Sequence, residues 1–362
     1  MLGQMMHRDL SIIDILKFAS ENHSLSEVVS LRTEGDMHRY NYTDCLSRVC
    51  KLANALVGLG IKKGDRVATL AWNGYRHLEL YYGISGIGAV CHTINPRLSP
   101  EQMLYIIEHA GDRLLFVDTT FVPIIEKLIP KLPKNLVIIV MASSDDSSTL
   151  SDNFLNYEQL ILESSHDIIW PELPENTAAG LCYTSGTTGN PKGALYSHRS
   201  TVLHALTTSL NLGPSLGDGM KVLPVVPLFH VNAWGLPYAA PLTGTSLIFP
   251  GPNLDGASLF DLMDQENVNS AWGVPTVWLG LLEEIRKQER VPSQFQNVVI
   301  GGSAAPKSMI EEFESLGITV CHAWGMTEMS PVGTQGFLPG SMKKALSQDE
   351  HCLLYTSPSP RD

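Results

Sequence analysis

Short apolar runs alternate with longer amphipathic segments between residues 66 and 140. The runs cover residues 66–71, 90–94, 113–117 and 136–140. The segments between them carry apolar residues three and four positions apart, a spacing that is typical of amphipathic helices. Parallel strands need a crossover connection, usually a helix, so this order restricts the chain to a mostly parallel sheet covered by helices. We therefore predict an α/β fold.

A second set of alternating segments follows residue 178. Its apolar runs cover residues 179–183, 221–226, 246–249, 297–300 and 319–322. Helical spacing of apolar residues recurs at residues 258–265, 276–287 and 307–316. Because α/β folds bind ligands at the strand ends, motifs in the loops of this region are candidates for a functional site.

The size and charge of the chain limit its functional class. A chain of 362 residues, of which 44% are hydrophobic, has enough apolar material for two or three domains or lobes. Its net charge of -12 and the lack of a dense basic patch argue against a nucleic-acid partner, because phosphate binding needs clustered Lys and Arg. The sequence leaves the oligomeric state open.

The cysteines favour a reducing environment. The chain has 6 of them, scattered without a C-x-x-C pair or a Cys/His cluster at metal-ligand spacing. It also shows neither a signal-peptide pattern nor a long uninterrupted apolar run, so we expect no transmembrane segment. We interpret the protein as intracellular, with cytoplasm, mitochondrion and peroxisome all open.

The segment 183–193 reads YTSGTTGNPKG and follows an apolar run. Gly186, Gly189 and Gly193 allow the backbone to approach an anion closely, and Lys192 supplies positive charge for phosphate oxygens. The segment differs from the G-x-x-x-x-G-K-[ST] loop of kinases and GTPases, because no Gly-Lys pair occurs in the chain. We predict a triphosphate-binding loop that precedes a helix from about His198; the alternative is an ordinary Gly/Ser/Thr surface loop.

Three later segments accompany this loop: PLFH at 227–230, GGSAAP at 301–306 and WGMTE at 324–328. With the loop, they make the chain resemble the adenylate-forming superfamily of acyl-CoA synthetases, luciferases and peptide-synthetase adenylation domains. The resemblance extends to about Gln348. No G-x-S-x-G or H-E-x-x-H motif offers a hydrolase or zinc-protease alternative.

The resemblance implies a nucleotide site with residues from three of these segments. The nucleotide would contact Thr184, Ser185, Gly186, Thr187, Thr188, Gly189, Lys192, Gly302, Ser303, Ala304, Trp324, Gly325 and Thr327. Thr327 would meet the α-phosphate, and Trp324, where the family usually has Tyr, offers a flat face for adenine. Glu328 would hold Mg²⁺ against phosphate oxygens. Lys192, His230, Thr327 and Glu328 are the implied catalytic residues.

An acyl site is implied beside the nucleotide. Its predicted contacts are His230, Val231, Trp234, Thr276 and Gly301. His230 alone would be weak evidence, but relatives place the matching residue beside the carboxylate, so we expect it to position the substrate. Core packing is the competing interpretation for Trp234 and Trp278, because aromatic residues at helical spacing are usually structural.

The resemblance also implies the domain organisation. Residues 1–348 would form the amino-terminal AMP-binding domain, with one lobe at about 65–212 and a second at about 1–60 plus 216–340. Family members continue into a mobile domain that carries a catalytic Lys, so we expect this chain to be a carboxy-terminally truncated fragment of low activity. Residues 349–362 are interpreted as a non-native tail, because the string after Cys352 resembles translated adapter sequence.

The implied function is ATP-dependent activation of a carboxylic acid, followed by thioester formation with coenzyme A. The segments 71–73, 92–98 and 108–110 most resemble medium-chain fatty-acyl and methylthiopropionate CoA ligases, although they leave the acid undefined. ATP, Mg²⁺ and coenzyme A are the expected cofactor and co-substrates. Two alternatives remain: a non-catalytic module that binds nucleotide or acyl groups, and an adenylating enzyme that delivers the acyl group to a carrier-protein thiol.

Overall fold

The computed structural model describes residues 3–5, 7–144, 154–184, 190–211 and 215–336. Its strands are β1 (Glu27–Leu31), β2 (Met37–Asn41), β3 (Arg66–Leu70), β4 (Val90–Thr93), β5 (Asp112–Asp118), β6 (Val137–Met141), β7 (Leu155–Asn156), β8 (Ala178–Thr184), β9 (Lys192–Ser197), β10 (Lys221–Pro224), β11 (Ser246–Phe249), β12 (Ser270–Gly273), β13 (Asn297–Ile300), β14 (Thr319–Gly325) and β15 (Val332–Gly336). Its α-helices are α1 (Ile12–Asn22), α2 (Tyr42–Gly58), α3 (Tyr75–Gly86), α4 (Pro100–Ala110), α5 (Val122–Leu128), α6 (Tyr157–Glu163), α7 (His198–Asn211), α8 (Leu236–Thr243), α9 (Gly256–Glu266), α10 (Pro275–Gln288) and α11 (Lys307–Ser315).

Two mostly parallel sheets organise these elements. A seven-stranded sheet has the order β7-β6-β5-β3-β4-β8-β9, and an eight-stranded sheet has the order β15-β14-β13-β12-β10-β11-β1-β2. Neighbouring strands are parallel except for β8 with β9, β14 with β15 and β1 with β2. The prediction of an α/β fold with helix-covered parallel sheets is confirmed.

Helix α3 connects the two sheets. It follows β3 of the seven-stranded sheet, and every residue of the helix is buried. The hydroxyl of Tyr81 donates to the carbonyl of Leu228 at 2.5 Å, and the hydroxyl of Tyr82 donates to the carbonyl of Pro237 at 2.6 Å. Leu228 lies in the loop after β10 of the eight-stranded sheet, and Pro237 lies in α8. The two hydrogen bonds therefore attach residues 228–237 to α3.

Asn73, in the loop after β3, is hydrogen-bonded to the end of β10 and to the loop that follows it. Its side-chain amide donates to the carbonyls of Pro224 and Val226 at 2.7 and 2.9 Å, and its oxygen accepts from the backbone N–H of Leu228 at 2.7 Å. Asn73 is buried. Because all three bonds satisfy backbone groups, they hold the chain beyond β10 in one position.

A cluster of charged side chains connects α2, α3 and α6. The Arg48 guanidinium donates to Glu79 at 2.6 Å and to Glu158 at 3.1 Å. Arg76 also donates to Glu158, at 2.8 Å. Glu79 has no exposed side-chain surface. Burial raises the pKa of Glu158, but Arg48 and Arg76 outweigh this effect and lower the pKa to about 2.

Several elements differ from the sequence pattern. The helix predicted from about His198 begins at that residue, but strand β9 precedes it, so the predicted phosphate loop connects two antiparallel strands. The pattern also missed β1, β2, β7, β12 and β15. Residues 145–153 and 337–362 lie outside the described residues. Within the described part of the chain, no helix combines the length and apolarity required to cross a membrane.

Candidate active site

A cleft lies beyond the carboxyl ends of β10, β13 and β14. It brings together seven of the predicted site residues: His230, Val231, Trp234, Gly302, Trp324, Gly325 and Thr327. Residues that the sequence patterns did not predict complete its lining, namely Ala323, Met326, Pro331 and Val332. The cleft has room for about 150 Å³. Its position agrees with the general rule for ligand sites in α/β sheets.

A left-handed turn follows His230. Residues 231–234 have φ angles of 43°, 55°, 44° and 56°, and Gly235 follows with φ 84°. Left-handed backbone costs L-residues roughly 1–2 kcal/mol each, so tertiary contacts have to hold this turn. Asn232 supplies two of them: its side-chain oxygen accepts from the Cys182 thiol at 3.6 Å, and at 3.1 Å it shares the single proton that the Tyr81 hydroxyl also donates to the Leu228 carbonyl.

The turn places Trp234 against Gly301. Trp234 lines the cleft and is 8% exposed. A methyl group added at Gly301 would lie 2.8 Å from the Trp234 ring and 2.8 Å from the carbonyl oxygen of Ala323. Position 301 therefore requires glycine. Trp278, by contrast, has no exposed surface and packs against Phe313 in the core.

His230 is exposed at the side of the cleft, next to this turn. Although part of the side chain is exposed, the surrounding protein removes much of the ring from water, which lowers its pKa below the ordinary value of 6.5, and the positive charge of Arg97 lowers it further. The imidazole is consequently neutral at neutral pH. A neutral imidazole can donate or accept a hydrogen bond but carries no charge for a carboxylate.

The predicted phosphate loop is described only at its two ends. Thr184 ends β8, Lys192 begins β9, and Ser185, Gly186, Thr187, Thr188 and Gly189 lie outside the described residues. The Thr184 hydroxyl donates to the carbonyl of Lys192 at 3.3 Å. The Lys192 side chain is exposed, and within the described residues it forms no ion pair. Its ammonium group is thus available to an anion.

Tyr196 joins this hairpin to the cleft. Its hydroxyl donates to the backbone carbonyl of Thr327 at 2.6 Å. Burial raises the pKa of Tyr196, which keeps the phenol protonated as a donor. The sequence pattern gave no reason to select this residue, because β9 was not predicted. Only the pairing of β9 with β8 brings Tyr196 to the edge of the cleft.

The end of β14 presents Trp324, and the turn after it presents Glu328. Trp324 is 37% exposed and lines the cleft. A methyl group at Gly325 would lie 2.2 Å from the carbonyl oxygen of Pro331, so this glycine permits close contact between β14 and the chain before β15. Glu328 is exposed and has no ion-pair partner among the described residues.

The described residues of the predicted site that do not line the cleft are Thr184, Lys192, Thr276, Gly301, Ser303, Ala304 and Glu328. Ser303 and Ala304 are exposed immediately after Gly302. Thr276 is exposed in the first turn of α10. The cleft therefore collects residues from the segments after β10, β13 and β14 but not from the start of α10.

The sequence has extensive similarity to known proteins. A profile for the family described as AMP-binding enzyme matches residues 18–352. The chain is 48% identical over 359 residues to a medium-chain-fatty-acid–CoA ligase of Ectopseudomonas oleovorans, covering 99% of this chain and 66% of that protein. It is 45% identical over 357 residues to a 3-methylmercaptopropionyl-CoA ligase of Ruegeria lacuscaerulensis, covering 98% of this chain and 66% of that protein. The chain thus spans slightly less than two thirds of either relative.

Solved structures share the fold. The crystal structure of the anthranilate CoA ligase AuaEII in complex with anthranoyl-AMP matches with a TM-score of 0.81 at 21% identity, covering 92% of this chain and 63% of that one. A long-chain-fatty-acid-CoA ligase from Archaeoglobus fulgidus matches with a TM-score of 0.81 at 19% identity, covering 96% of this chain and 70% of that one. At these identities the likeness concerns the fold alone.

Proposed function

This chain belongs to the AMP-binding enzyme family, and from that premise we propose that it forms the acyl-adenylate site of an ATP-dependent acid–thiol ligase. The observation that carries the proposal is the cleft, which is lined both by apolar side chains, among them Val231 and Trp234, and by the polar side chains of His230 and Thr327. A mixed anhydride of a fatty acid and AMP needs both kinds of surface. The ligase activity, its substrates and its partners are proposed for the whole protein.

The proposed reaction has two steps. A carboxylate oxygen of the acid attacks the α-phosphorus of ATP, and the bond to the β-phosphate oxygen breaks to release pyrophosphate. The sulfur of coenzyme A then attacks the acyl carbon, AMP leaves, and the thiol proton passes to solvent. Neither step needs a covalent bond to the protein, so the site acts by positioning the reactants and stabilising phosphate charge.

Lys192 and Thr327 are suited to the phosphates. The exposed ammonium group of Lys192 can neutralise charge on the pyrophosphate leaving group. Thr327, fixed by Tyr196, can direct its hydroxyl at the α-phosphate. The donors of residues 184–189 would surround the remaining oxygens. These assignments agree with the position of Thr184 and Lys192 at the two ends of the loop.

Glu328 would hold Mg²⁺. Mg²⁺ is commonly bound by one or two carboxylates together with substrate phosphates and water. Among the described residues, no group of three or more His, Cys, Asp or Glu side chains could hold a metal ion. The exposed carboxylate of Glu328 fits the arrangement with a single protein ligand. When bound, the ion would neutralise phosphate charge during adenylation.

Trp324 would bind the adenine ring. Its indole ring is partly exposed and supplies an aromatic face, and Gly302 lines the same cleft. Ser303 and Ala304 follow Gly302 in the loop after β13 and would present backbone groups to the base edge. The exposure of both residues leaves them accessible to a nucleotide.

The acid would lie along the turn after His230. Neutral His230 would hydrogen-bond the substrate carboxyl, and Val231 and Trp234 would contact the first carbons of the chain. Gly301 would admit the Trp234 ring. The named activities of the relatives from Ectopseudomonas and Ruegeria support a medium-length aliphatic or thioether acid as substrate. The five described cysteines are free thiols, which supports a reducing intracellular compartment.

ATP/pyrophosphate exchange tests this proposal. The chain, and any longer product of the same gene, are assayed with acids of two to twelve carbons and with aromatic acids. We expect exchange that depends on a medium-length acid and is lost in Lys192→Ala. Exchange without thioester formation from coenzyme A would favour a carrier-protein thiol as acceptor. No exchange in any product, with ATP binding that Lys192→Ala abolishes, would contradict the enzyme and support a binding module.

A further inference from the structure

A small pocket, here called the junction pocket, lies where the carboxyl ends of strands from both sheets meet. Residues 30–33 and Gly251, which end or follow β1 and β11, line it together with residues 72–77 and Asp118, which follow β3 and end β5. It has room for about 30 Å³. A water molecule needs roughly 10–15 Å³ on this measure, so the pocket holds a ligand of only a few atoms. Among the described residues, it shares no lining residue with the cleft.

The residues that line the junction pocket include three buried side-chain donors without a hydrogen-bond partner among the described residues. They are Oγ of Ser30, Nε1 of Trp72 and Nη2 of Arg76. Ser30 is 1% exposed and Arg76 is 5% exposed. The indole and guanidinium nitrogens can only donate, and the hydroxyl can donate as well. Because buried donors are almost always paired in native proteins, these three indicate a ligand that accepts hydrogen bonds.

The rest of the Arg76 guanidinium is already bonded. Its Nε donates to Glu158 at 2.8 Å, and its Nη1 donates to Glu34 at 2.8 Å and to the carbonyl of Met141 at 2.9 Å. These bonds prevent the guanidinium from turning, so Nη2 is held in place before a ligand arrives. A donor that needs no ordering lowers the cost of binding.

The junction pocket also lies at the amino end of α3. Gly74 precedes the helix, and it lines the pocket together with the first turn at residues 75–77. The first backbone N–H groups of a helix have no acceptor within the helix, and Gly74 has no side chain that could cap them. These groups and the helix dipole favour negative charge. The helix end and the three side-chain donors therefore both indicate an anion.

The charged residues that line the junction pocket are Arg32, Arg76 and Asp118. Burial raises the pKa of Asp118 to about 7, although the backbone N–H of Trp72 and the charge of Arg76 act in the opposite direction. At neutral pH about half of the molecules therefore carry Asp118 as a neutral acid. In that form the lining carries positive charge only.

The other titratable groups around Asp118 do not change their charge near neutral pH. Burial lowers the pKa of His77 to about 4 and raises the pKa of Tyr75, so both side chains line the junction pocket uncharged. The carboxylates that bond Arg32 and Arg76 do not line the pocket; they are Glu34, Asp36 and Glu158. Asp118 is therefore the group that makes the affinity for an anion depend on pH.

We propose that the junction pocket binds one small monovalent anion of the size of chloride, which accepts hydrogen bonds from Ser30, Trp72 and Arg76. The anion connects β1 of the eight-stranded sheet with the start of α3, which follows the seven-stranded sheet, and so stabilises the contact between the sheets. Water is the competing occupant, but a water oxygen has two lone pairs and cannot accept from three donors at once. The inference is independent of the proposed function.

Thermal unfolding in chloride and in gluconate tests the site. Gluconate is too bulky for a pocket of about 30 Å³, so it serves as the reference at equal sodium concentration and ionic strength. An anion that binds only the folded protein raises the unfolding temperature as its concentration increases. When chloride replaces gluconate, we expect a saturable rise of about 1–3 °C. The rise should be larger at pH 6 than at pH 8, because ionised Asp118 repels the anion.

Matched substitutions assign the effect to the junction pocket. Trp72→Phe removes the indole N–H, so it should weaken chloride binding by about tenfold. Trp278→Phe is the control, because Nε1 of Trp278 is also buried without a partner among the described residues but lies outside the pocket. Ser30→Ala and Ser270→Ala form a second pair for the same reason. Each variant is compared with itself in the two salts, so a general loss of stability does not affect the result.

Two further experiments test the position of the anion and its pH dependence. Asp118→Asn keeps the shape of the side chain without its charge, so chloride should bind this variant equally at pH 6 and pH 8. Bromide, located in crystals by its anomalous scattering, should lie within hydrogen-bond distance of Nε1 of Trp72 and Nη2 of Arg76.

Three results would each overturn the anion site. The first is a pocket that contains only water at saturating bromide. The second is an unfolding temperature that is the same in chloride and in gluconate. The third is a response to chloride that Trp72→Phe and Trp278→Phe change equally.

Discussion

The hydroxyl of Tyr196 donates a 2.6 Å hydrogen bond to the backbone carbonyl of Thr327. Tyr196 belongs to β9 of the seven-stranded sheet, whereas Thr327 follows β14 of the eight-stranded sheet. The bond therefore joins the strand that leaves the predicted phosphate loop to the segment that carries Trp324 and Glu328. The proposed nucleotide site depends on this connection between sheets.

Replacement of Tyr196 by Phe tests the connection. Tyr196→Phe removes only the hydroxyl, so the free energy of unfolding should fall by about 0.5–1.5 kcal/mol, and ATP should bind several-fold more weakly. Urea unfolding and calorimetry measure the two effects. Tyr42→Phe is the control, because the Tyr42 hydroxyl also donates to a backbone carbonyl, that of Thr245, and Tyr42 does not line the cleft. An equal loss of ATP affinity in both variants would contradict a specific role of the Tyr196 hydroxyl in the nucleotide site.

Gly301 provides a steric test of the acyl wall. Gly301→Ala places a methyl group 2.8 Å from the Trp234 ring and should displace it, weakening binding of an octanoyl-adenylate analogue by about tenfold or more, because misplaced contacts are costly. Gly58→Ala is the control, since a methyl group there meets nothing within 4 Å. Binding by calorimetry that is unchanged in Gly301→Ala would show that Trp234 does not shape the site.

The charged cluster predicts a specific acid sensitivity. The pKa of Glu158 is about 2 in the folded protein and ordinarily 4.5, so its contribution to stability is complete above pH 4.5 and is lost as the pH falls towards 2. Glu158→Gln should remove about 3 kcal/mol at pH 7 and flatten the decline of unfolding free energy between pH 4.5 and 2.

Urea unfolding across this pH range measures the effect. Glu163→Gln, on the same helix but exposed, should leave both the free energy of unfolding and its pH dependence nearly unchanged. An equally steep decline for Glu158→Gln and the unsubstituted protein would show that other groups determine the acid sensitivity.

Glu328 predicts a dependence on Mg²⁺. In the proposed site its carboxylate is the single protein ligand of the ion, so Glu328→Gln should raise the Mg²⁺ concentration needed for half-maximal ATP binding by tenfold or more. Glu283→Gln changes an exposed carboxylate on α10 and serves as the charge-matched control. A titration with the same Mg²⁺ midpoint in both variants would contradict the role of Glu328.

The sequence predicted the central strands better than the edges. Strands such as β4 and β13 are buried on both faces, and this burial produces the apolar runs from which they were identified. Strands β9 and β15 have exposed positions and lie at sheet edges, so they carry no such run. Both edges border the proposed site, which is why Tyr196 and Val332 were not predicted.

The motifs located the cleft, but its geometry required tertiary contacts. The residues from Val231 to Trp234 do not indicate a left-handed turn. Of the four, only Asn232 is of a type that commonly adopts left-handed backbone angles. The turn depends on Tyr81 and Cys182, which are distant in the chain. These contacts form because α3 and β8 pack against the residues that follow β10. Such long-range contacts produce no pattern in the sequence of the turn itself.

The central claim is that the cleft binds an acyl-adenylate, and direct binding of octanoyl-sulfamoyl adenosine tests it most directly. Trp324 lies in the cleft and is partly exposed, so its fluorescence should change on binding, and this component of the signal should disappear in Trp324→Phe. We predict saturable binding with one site per chain that Gly301→Ala weakens and Gly58→Ala does not. Absence of saturable binding by calorimetry and by fluorescence, in a folded protein, would contradict the account.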